Sequence, residues 1–437
     1  MEKVLITTWG NPFEWSDITY VYEDGKNTKI TLNTFCTLPI LRRAIKPDRI
    51  IVIVADTLAN LINERTREPP MKQRKFSSYD DVLEDVKDRV EYFVSDKLGE
   101  RFDKIDLIIA PGVGVFKNIE INGDILDYYH YVTYKLAELL PATNMAVYLD
   151  LTHGINFMPV LTYRAVLNLL GLASYLKATR LTVLNSEPYP RGVAKERLKD
   201  IMLNIKSVED QKIQPKPISN LLNQTFNRWN AFISSIANGF PLIFATFYPK
   251  IKEVKDEAKN RLNSFLEGID VDGNIIKRSL SLDSDFKTLS KLYYFLKVLN
   301  TEDTFRNLPK QELSLEELKA ISDRLFRNLP RVGIIVEEQI KHLEETLTTH
   351  GKPKKHIESK WKPLVSYTKI GGISSPSDKS STDDKRIVRN FIAHSGFEYN
   401  ITMTKKTFNE IVFKYKSKDK VITYAVESMI FRLEEGS

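Results

Sequence analysis

The sequence predicts an α/β half followed by a mainly helical half: a Rossmann-like parallel sheet at the N-terminus and an α domain at the C-terminus. Three observations lead there. Short β-branched runs alternate with helical stretches as far as about residue 186. Beyond it, apolar residues recur three and four apart instead. And 437 residues exceed what one ordinary hydrophobic core accommodates.

The strands come first. "KVLITT" (3–8), "RIIVIVAD" (49–56), "IDLIIAPG" (105–112), "MAVYLDLT" (145–152) and "RLTVLNS" (180–186) are each bounded by Gly, Pro, Asp or Asn. Helical stretches such as "DYYHYVTYKLAELL" (127–140) and "FMPVLTYRAVLNLLGLASYL" (157–176) lie between them, a βαβ rhythm that calls for a parallel sheet covered on both faces. "TYVYEDGKNTKITL" (19–32) adds a hairpin with Asp-Gly at its turn. These elements form an N-terminal domain over 1–188, and 189–218 reads as a linker around one amphipathic helix.

From 219 to 437 the pattern is helical. Leu222, Phe226, Trp229, Ile233 and Ile236 mark one helix, "FKTLSKLYYFLKVL" (286–299) a second, and Val336, Ile340, Leu343 and Leu347 a third. "KIGGISSPSDKSSTDDK" (369–385) is a polar Gly/Ser-rich loop, and "VFKYKSKDKVITYAV" (412–426) alternates and turns like a β-hairpin. Its lysines, Lys414 and Lys416 on one face with Lys418 and Lys420 following, suit an anionic partner; guarding an edge strand against aggregation is the simpler reading.

Composition narrows the chemistry. At 42% hydrophobic and 28% charged residues the chain is a well-packed globular protein, and its net charge of +7 is consistent with an anionic partner. Cys36 is the only cysteine, which excludes an internal disulfide framework and a Cys-based zinc site. The six histidines form no HExxH or other tight ligand pair, so no metal is expected. No signal peptide and no long uninterrupted apolar run are present, and a cytoplasmic protein without a membrane partner is the expectation.

An open parallel sheet binds ligands beyond the carboxyl ends of its strands. Three turns there carry small and polar residues: "TTWGNP" (7–12), "APGVGVF" (110–116) and "DLTHGIN" (150–156). Gly10, Gly112, Gly114 and Gly154 allow close approach of a ligand to the backbone, and the helix after "THG" offers free N–H groups to phosphate. Thr152, His153 and Asn156 suit hydrogen bonds to phosphate or a base edge, and Trp9 suits base stacking. Each turn alone reads first as ordinary turn chemistry; the three together favour a ligand. No GxGxxG occurs, which disfavours an NAD-type enzyme.

Near the C-terminus, "RIVRNFIAHSGFEYN" packs Arg389, Asn390 and His394 among apolar neighbours. Asn390 and His394 share a helical face, whereas Arg389 lies roughly 140° from His394 and needs its long stem to converge. Gly396 marks the helix end, where the negative dipole end would favour imidazolium. A guanidinium grips phosphate, a neighbouring imidazole moves protons, and RNA supplies its own nucleophile in the 2′-hydroxyl. In isolation the pattern is better read as dipole-matched cations at a helix end; the rest of the chain tips the balance.

An α/β half with "TTWGNP" and "DLTHGIN" followed by an α half ending in "RNFIAHSG" resembles the CRISPR-associated CARF–HEPN ribonucleases of type III systems, over essentially the whole chain. Arg389, Asn390 and His394 match the HEPN motif directly. "TTWGN", "ADTL" (55–58), "PGVG" and "DLTHGIN" fall where the family places its ligand turns, which adds Thr8, Asn11, Asp56 and Thr57 to the candidate ligand set. The resemblance implies a homodimer, or a higher assembly, that binds a cyclic oligoadenylate across its CARF domains. Cyclic tetra-adenylate is the expected activator, and no other cofactor is implied. It also implies metal-independent cutting of single-stranded RNA at a composite HEPN site in antiviral defence, with Arg389 on the scissile phosphate, His394 as general acid or base and Asn390 positioning one of them. Two alternatives stand beside this reading: a non-enzymatic cyclic-nucleotide sensor, and a ring nuclease that degrades its own activator in the CARF pocket.

Overall fold

A computed structural model describes residues 1–23, 29–190, 200–327, 329–367 and 382–435. The chain divides into two compact units, Met1–Gln214 with Asp256–Tyr294, and Pro215–Lys255 with Phe295–Ser437.

The strands of the first unit are β1 (Glu2–Thr8), β2 (Ile18–Glu23), β3 (Lys29–Thr34), β4 (Arg49–Ala55), β5 (Ile105–Ala110), β6 (Gly114–Val115), β7 (Glu120–Asn122), β8 (Met145–Asp150), β9 (Thr179–Ser186), β10 (Met202–Lys212), β11 (Ile269–Asp272) and β12 (Ile275–Arg278). Eight of them form one sheet in the order β3-β2-β10-β9-β8-β1-β4-β5. From β9 to β5 every pair is parallel. Helices α1 (Leu38–Ile45), α2 (Tyr79–Tyr92), α3 (Ile125–Leu139) and α4 (Met158–Ala173) accompany the sheet. Val4, Leu5 and Ile6 of β1 and Ile51 to Val54 of β4 are fully buried, the continuous apolar signature of strands covered on both faces. The chain runs from β1 outward through β4 to β5, then returns to β1's other side as β8. The switch point therefore lies between β1 and β8. A small second sheet runs β11-β12-β7-β6.

Two sequence expectations need revision. Residues 202–212, placed in a connecting helix, are strand β10, antiparallel to β9 and parallel to β2. Leu203 and Ile205 alternate inward, but Ser207 to Lys212 are largely exposed and polar, so only pairing to β9 reveals the strand. The unit boundary differs accordingly from 188/219, because β10 belongs to the first unit. So do residues 256–294, which bring β11 and β12 back from within the expected helical domain. Strands β2 and β3 form the expected hairpin, with its Asp-Gly turn outside the described residues.

The helices that follow are α5 (Asn227–Asn238), α6 (Pro241–Thr246), α7 (Ile251–Glu267), α8 (Ser284–Leu299), α9 (Leu315–Leu325), α10 (Val332–Leu347), α11 (Thr382–Ala393) and α12 (Lys418–Glu435). The unit boundary falls within α7 and within α8. The second unit also holds strands β13 (Leu313–Ser314), β14 (Thr348–Thr349), β15 (Lys352–Pro353), β16 (Lys362–Pro363), β17 (Thr402–Lys406) and β18 (Ile411–Tyr415). Four of these form a sheet in the order β13-β18-β17-β16. The hairpin expected over 412–426 is thus displaced: β18 pairs backward with β17, and the would-be second arm is helix α12. Val421, Ala425, Ser428 and Met429 are all buried, a spacing of three and four that only a helix can face inward. The polar stretch 369–385 lies outside the described residues up to 381, and its last residues open α11. Among the described residues, no helix is long and apolar enough to cross a membrane.

Candidate functional site

At the carboxyl edge of the parallel sheet, the turns after β1 and β8 touch: the Gly10 N–H donates to the His153 carbonyl at 2.8 Å. Gly10 and Gly154 are needed for that closeness. A Cβ on Gly10 would strike Ile155, and one on Gly154 would strike Thr8 Oγ1 and Pro159. Asp150, fully buried at the end of β8, holds the "THG" turn in place. It accepts hydrogen bonds from the Thr7, Thr37 and Thr152 hydroxyls at 3.1, 2.5 and 2.6 Å. The Thr152 hydroxyl is in turn an acceptor for the Ser186 N–H at 3.1 Å. His153 packs on Trp15 with ring centroids 4.3 Å apart, and burial pushes its imidazole down to about 4 against the opposing pull of Asp150.

The other candidates separate into surface and core. Asn156 is exposed, with φ of 48°, while Thr152, Gly154, Thr57 and Gly114 are half-buried. Asn11 caps the short turn Pro12–Glu14 by accepting from the Phe13 N–H at 3.0 Å. Thr8 is fully buried, and its hydroxyl makes no hydrogen bond among the described residues. Trp9 corrects the expectation of base stacking. It is fully buried, edge-on to Trp15 and Phe93 at 5.7 Å each, and belongs to the core.

Asp56 is likewise fully buried. It accepts from the Gly112 N–H at 2.7 Å and the Tyr79 hydroxyl at 2.8 Å, and it is ion-paired with Arg278. Arg278 also donates to the Gly112 carbonyl at 2.6 Å. Burial raises the Asp56 carboxyl from its ordinary value while Arg278 pulls it down. Asp56 and Gly112 thus brace the "PGVG" turn from beneath, and Arg278 is a brace no sequence signal could reveal. It stands 222 residues from its partner.

In the second unit, α11 buries Val388 and Phe391 and leaves Arg389 and Asn390 exposed. The Arg389 guanidinium lies over the Phe431 ring, 5.4 Å from its centroid, and makes no ion pair among the described residues. His394 is the first residue past α11, its N–H donating to the Asn390 carbonyl at 3.0 Å. Ser395 and Gly396, with φ of 49° and 79°, then turn the chain away. The His394 ring tilts against Tyr399 at 4.7 Å, and its Nδ1 is 3.1 Å from Gln339 Oε1. The Tyr399 hydroxyl lies 3.4 Å from the same nitrogen; with the nearer Oε1 accepting, Nδ1 carries the proton and Nε2 is left for proton transfer.

The expected imidazolium is not favoured. Burial first, then repulsion from His342, push the His394 imidazole below its ordinary value, against the weaker pull of Glu398. Gln339, Tyr399 and His342 escaped the sequence reading because α10 and the segment after Gly396 meet His394 only in three dimensions. Among the described residues, no three His, Cys, Asp or Glu side chains gather at one point.

Residues 4–188 match the family model for the CARF domain of CRISPR system endoribonuclease Csx1, and residues 329–417 match the model for its HEPN domain. A CRISPR system endoribonuclease Csx1 from Methanocaldococcus jannaschii is 31% identical over 445 aligned positions, covering 92% of this chain and 86% of its own. Among solved structures, Enterococcus italicus Csm6 bound to cyclic hexa-2′-fluoro-hexa-dAMP aligns over 99% of this chain and 93% of its own at 12% identity. Its TM-score of 0.23 is too low to support a structural inference.

Proposed function

The chain belongs to the Csx1 family of CRISPR endoribonucleases, and on that premise we propose that a cyclic oligoadenylate switches on its cutting of single-stranded RNA, without a metal ion, in type III antiviral defence in the cytoplasm. The observation that carries the proposal is the Arg389–Asn390–His394 surface. A solvent-facing guanidinium and amide stand five and four residues before an imidazole whose Nδ1 meets Gln339. On this reading Arg389 holds the scissile phosphate and offsets its extra negative charge, and Asn390 orients it. His394 Nε2 takes the 2′-hydroxyl proton or returns one to the leaving 5′-oxygen. The 2′-oxygen attacks phosphorus as the P–O5′ bond breaks, leaving a 2′,3′-cyclic phosphate and a 5′-hydroxyl. The depressed His394 value suits a base, because a neutral ring is ready to accept a proton near neutral pH. One motif cannot readily supply both acid and base, so a homodimer that apposes two copies completes the site.

The turns at Gly10, Gly112, Gly114 and His153–Gly154 are the activator's proposed seat, with cyclic tetra-adenylate as the ring. Val115, Phe116, Ile155 and Val160 are 78, 41, 41 and 60% exposed, and they supply apolar surface for pairing two CARF domains around it. The deciding experiment is an RNA cleavage assay in EDTA, with and without each cyclic oligoadenylate. Cleavage only with the tetramer, lost in His394→Ala while activator affinity is kept, is the expected result. Undiminished cutting by His394→Ala, or a requirement for divalent ions, overturns the assignment.

A further inference from the structure

We infer that the outer face of the β13-β18-β17-β16 sheet, with the β17–β18 tip, is a second RNA-holding surface, separate from the cleavage motif and built to grip single-stranded RNA. The inference rests on the chain being an endoribonuclease. At the hairpin tip Phe408 is 93% exposed, a phenyl ring with no packing role. Its neighbours alternate. Thr402, Thr404, Phe413 and Tyr415 face inward and are buried, whereas Met403, Lys405, Lys414 and Lys416 are at least partly open to solvent.

Lys405 and Lys414 both lie over the Trp361 ring, 4.4 and 4.1 Å from its centroid. They share the single carboxylate of Glu312 at 3.3 and 3.5 Å, so the group stays net positive. Beside it is a hollow of about 380 Å³ lined by Gln311, Glu312, Met403, Lys414, Lys416 and Lys418.

β18 pairs with β17 along its whole length and with β13 at Val412 and Phe413, so a guarded edge could involve only the stretch from Lys414 onward and leaves Lys405, on the neighbouring strand, without that role. Fixed ammonium groups along a sheet face, with an unpacked aromatic ring at the tip of the same hairpin, are what a flexible anionic strand of bases requires. The phosphates meet the lysines and one base stacks on Phe408. The same sheet touches the catalytic turn from behind. The buried Tyr415 hydroxyl donates to the Gly396 carbonyl at 3.1 Å, and Phe397 packs on Phe413 at 6.0 Å. The inner face of the sheet thus packs on the turn after His394, and the proposed RNA-holding face is the opposite one.

The test measures binding of a fluorescein-labelled, 2′-O-methylated single-stranded RNA, which cannot be cut, to the full-length protein across a salt series. Phe408→Ala should weaken binding by roughly 5- to 100-fold through loss of one stacked base. Lys414→Gln with Lys416→Gln should flatten the slope of log affinity against log salt by about 1.4. With cleavable RNA, Phe408→Ala should raise KM and leave kcat at saturation unchanged, with an unaltered Tm. Unchanged affinity and salt slope in the variants overturn the surface while leaving the ribonuclease reading intact. Dissociation of the variants into monomers, with RNA affinity kept, overturns it in favour of a contact between copies of the chain. A parent protein that holds no RNA at all overturns both readings together.

Discussion

The Nδ1 of His394 lies 3.1 Å from Gln339 Oε1, joining the end of α11 to the middle of α10. Gln339 is itself buried at 7% exposure, and with its Oε1 turned to the ring it accepts the Nδ1 proton, while the Tyr399 hydroxyl lies 3.4 Å from the same nitrogen. Gln339→Leu should lower kcat roughly 5- to 30-fold, the kinetic equivalent of about 1–2 kcal/mol for a lost orienting hydrogen bond. KM for RNA should be nearly unchanged. Gln339→Glu should retain activity and shift the acid limb of the pH–rate profile upward, because a carboxylate favours the protonated ring. A profile that stays put would show that Gln339 does not act through His394.

His342 should work in the opposite direction. It contributes to lowering His394's affinity for protons, so His342→Ala should raise the pH at which His394 titrates. Chemical-shift titration of the imidazole protons reads this directly, and a shift to lower pH would contradict the arrangement.

Arg278 and Asp56 form a buried ion pair whose side chains are both fully shielded. Arg278→Ala leaves a carboxylate and the Gly112 carbonyl without their partner, and should cost about 3–5 kcal/mol in urea unfolding. The double variant Arg278→Met with Asp56→Asn should recover part of that loss, since a vacant pair is worse than none. Equal losses in the single and double variants would refute coupling between the two.

Trp9 separates a core role from a ligand role. Trp9→Ala should destabilise the protein by about 3–5 kcal/mol, as expected for an emptied aromatic core site. Any loss of activator binding should be secondary to that. A fully stable Trp9→Ala protein deficient only in activator binding would restore the stacking assignment.

His153 makes the first unit acid-sensitive. Its folded-state value is pushed down to about 4 by burial, whereas an unfolded chain titrates near the ordinary value of about 6.5. The unfolded state therefore binds the proton first, and stability falls as pH drops from about 6.5 to about 4, levelling off below that. Allowing for its partial exposure, the loss should be about 2 kcal/mol. His153→Gln should abolish that portion of the urea-midpoint decline between these pH values; an identical decline in the variant would exclude His153 as its source.

Local periodicity was enough for β1, β4, β5, β8 and β9, for α3, α4 and α10, and for the presence of an Arg, an Asn and a His at the end of one helix. These depend on neighbours a few residues apart, and a β-branched run or a three-four spacing reports burial directly. Pairing across long separations decided the rest. β10 is polar enough to read as a linker until β9 lines it. The second arm of the supposed hairpin becomes helix once Val421, Ala425 and Met429 have a core to face. Trp9 looked like a base platform in a glycine turn, but its ring is claimed by Trp15 and Phe93. Asp56 acquired a guanidinium from the far half of the chain, and His394 acquired Gln339, His342 and Tyr399. Which residue types stand at the site is a property of the chain; which of them are dry, charged or free to meet a ligand depends on contacts that exist only after folding, because desolvation and through-space fields have no local signature in sequence.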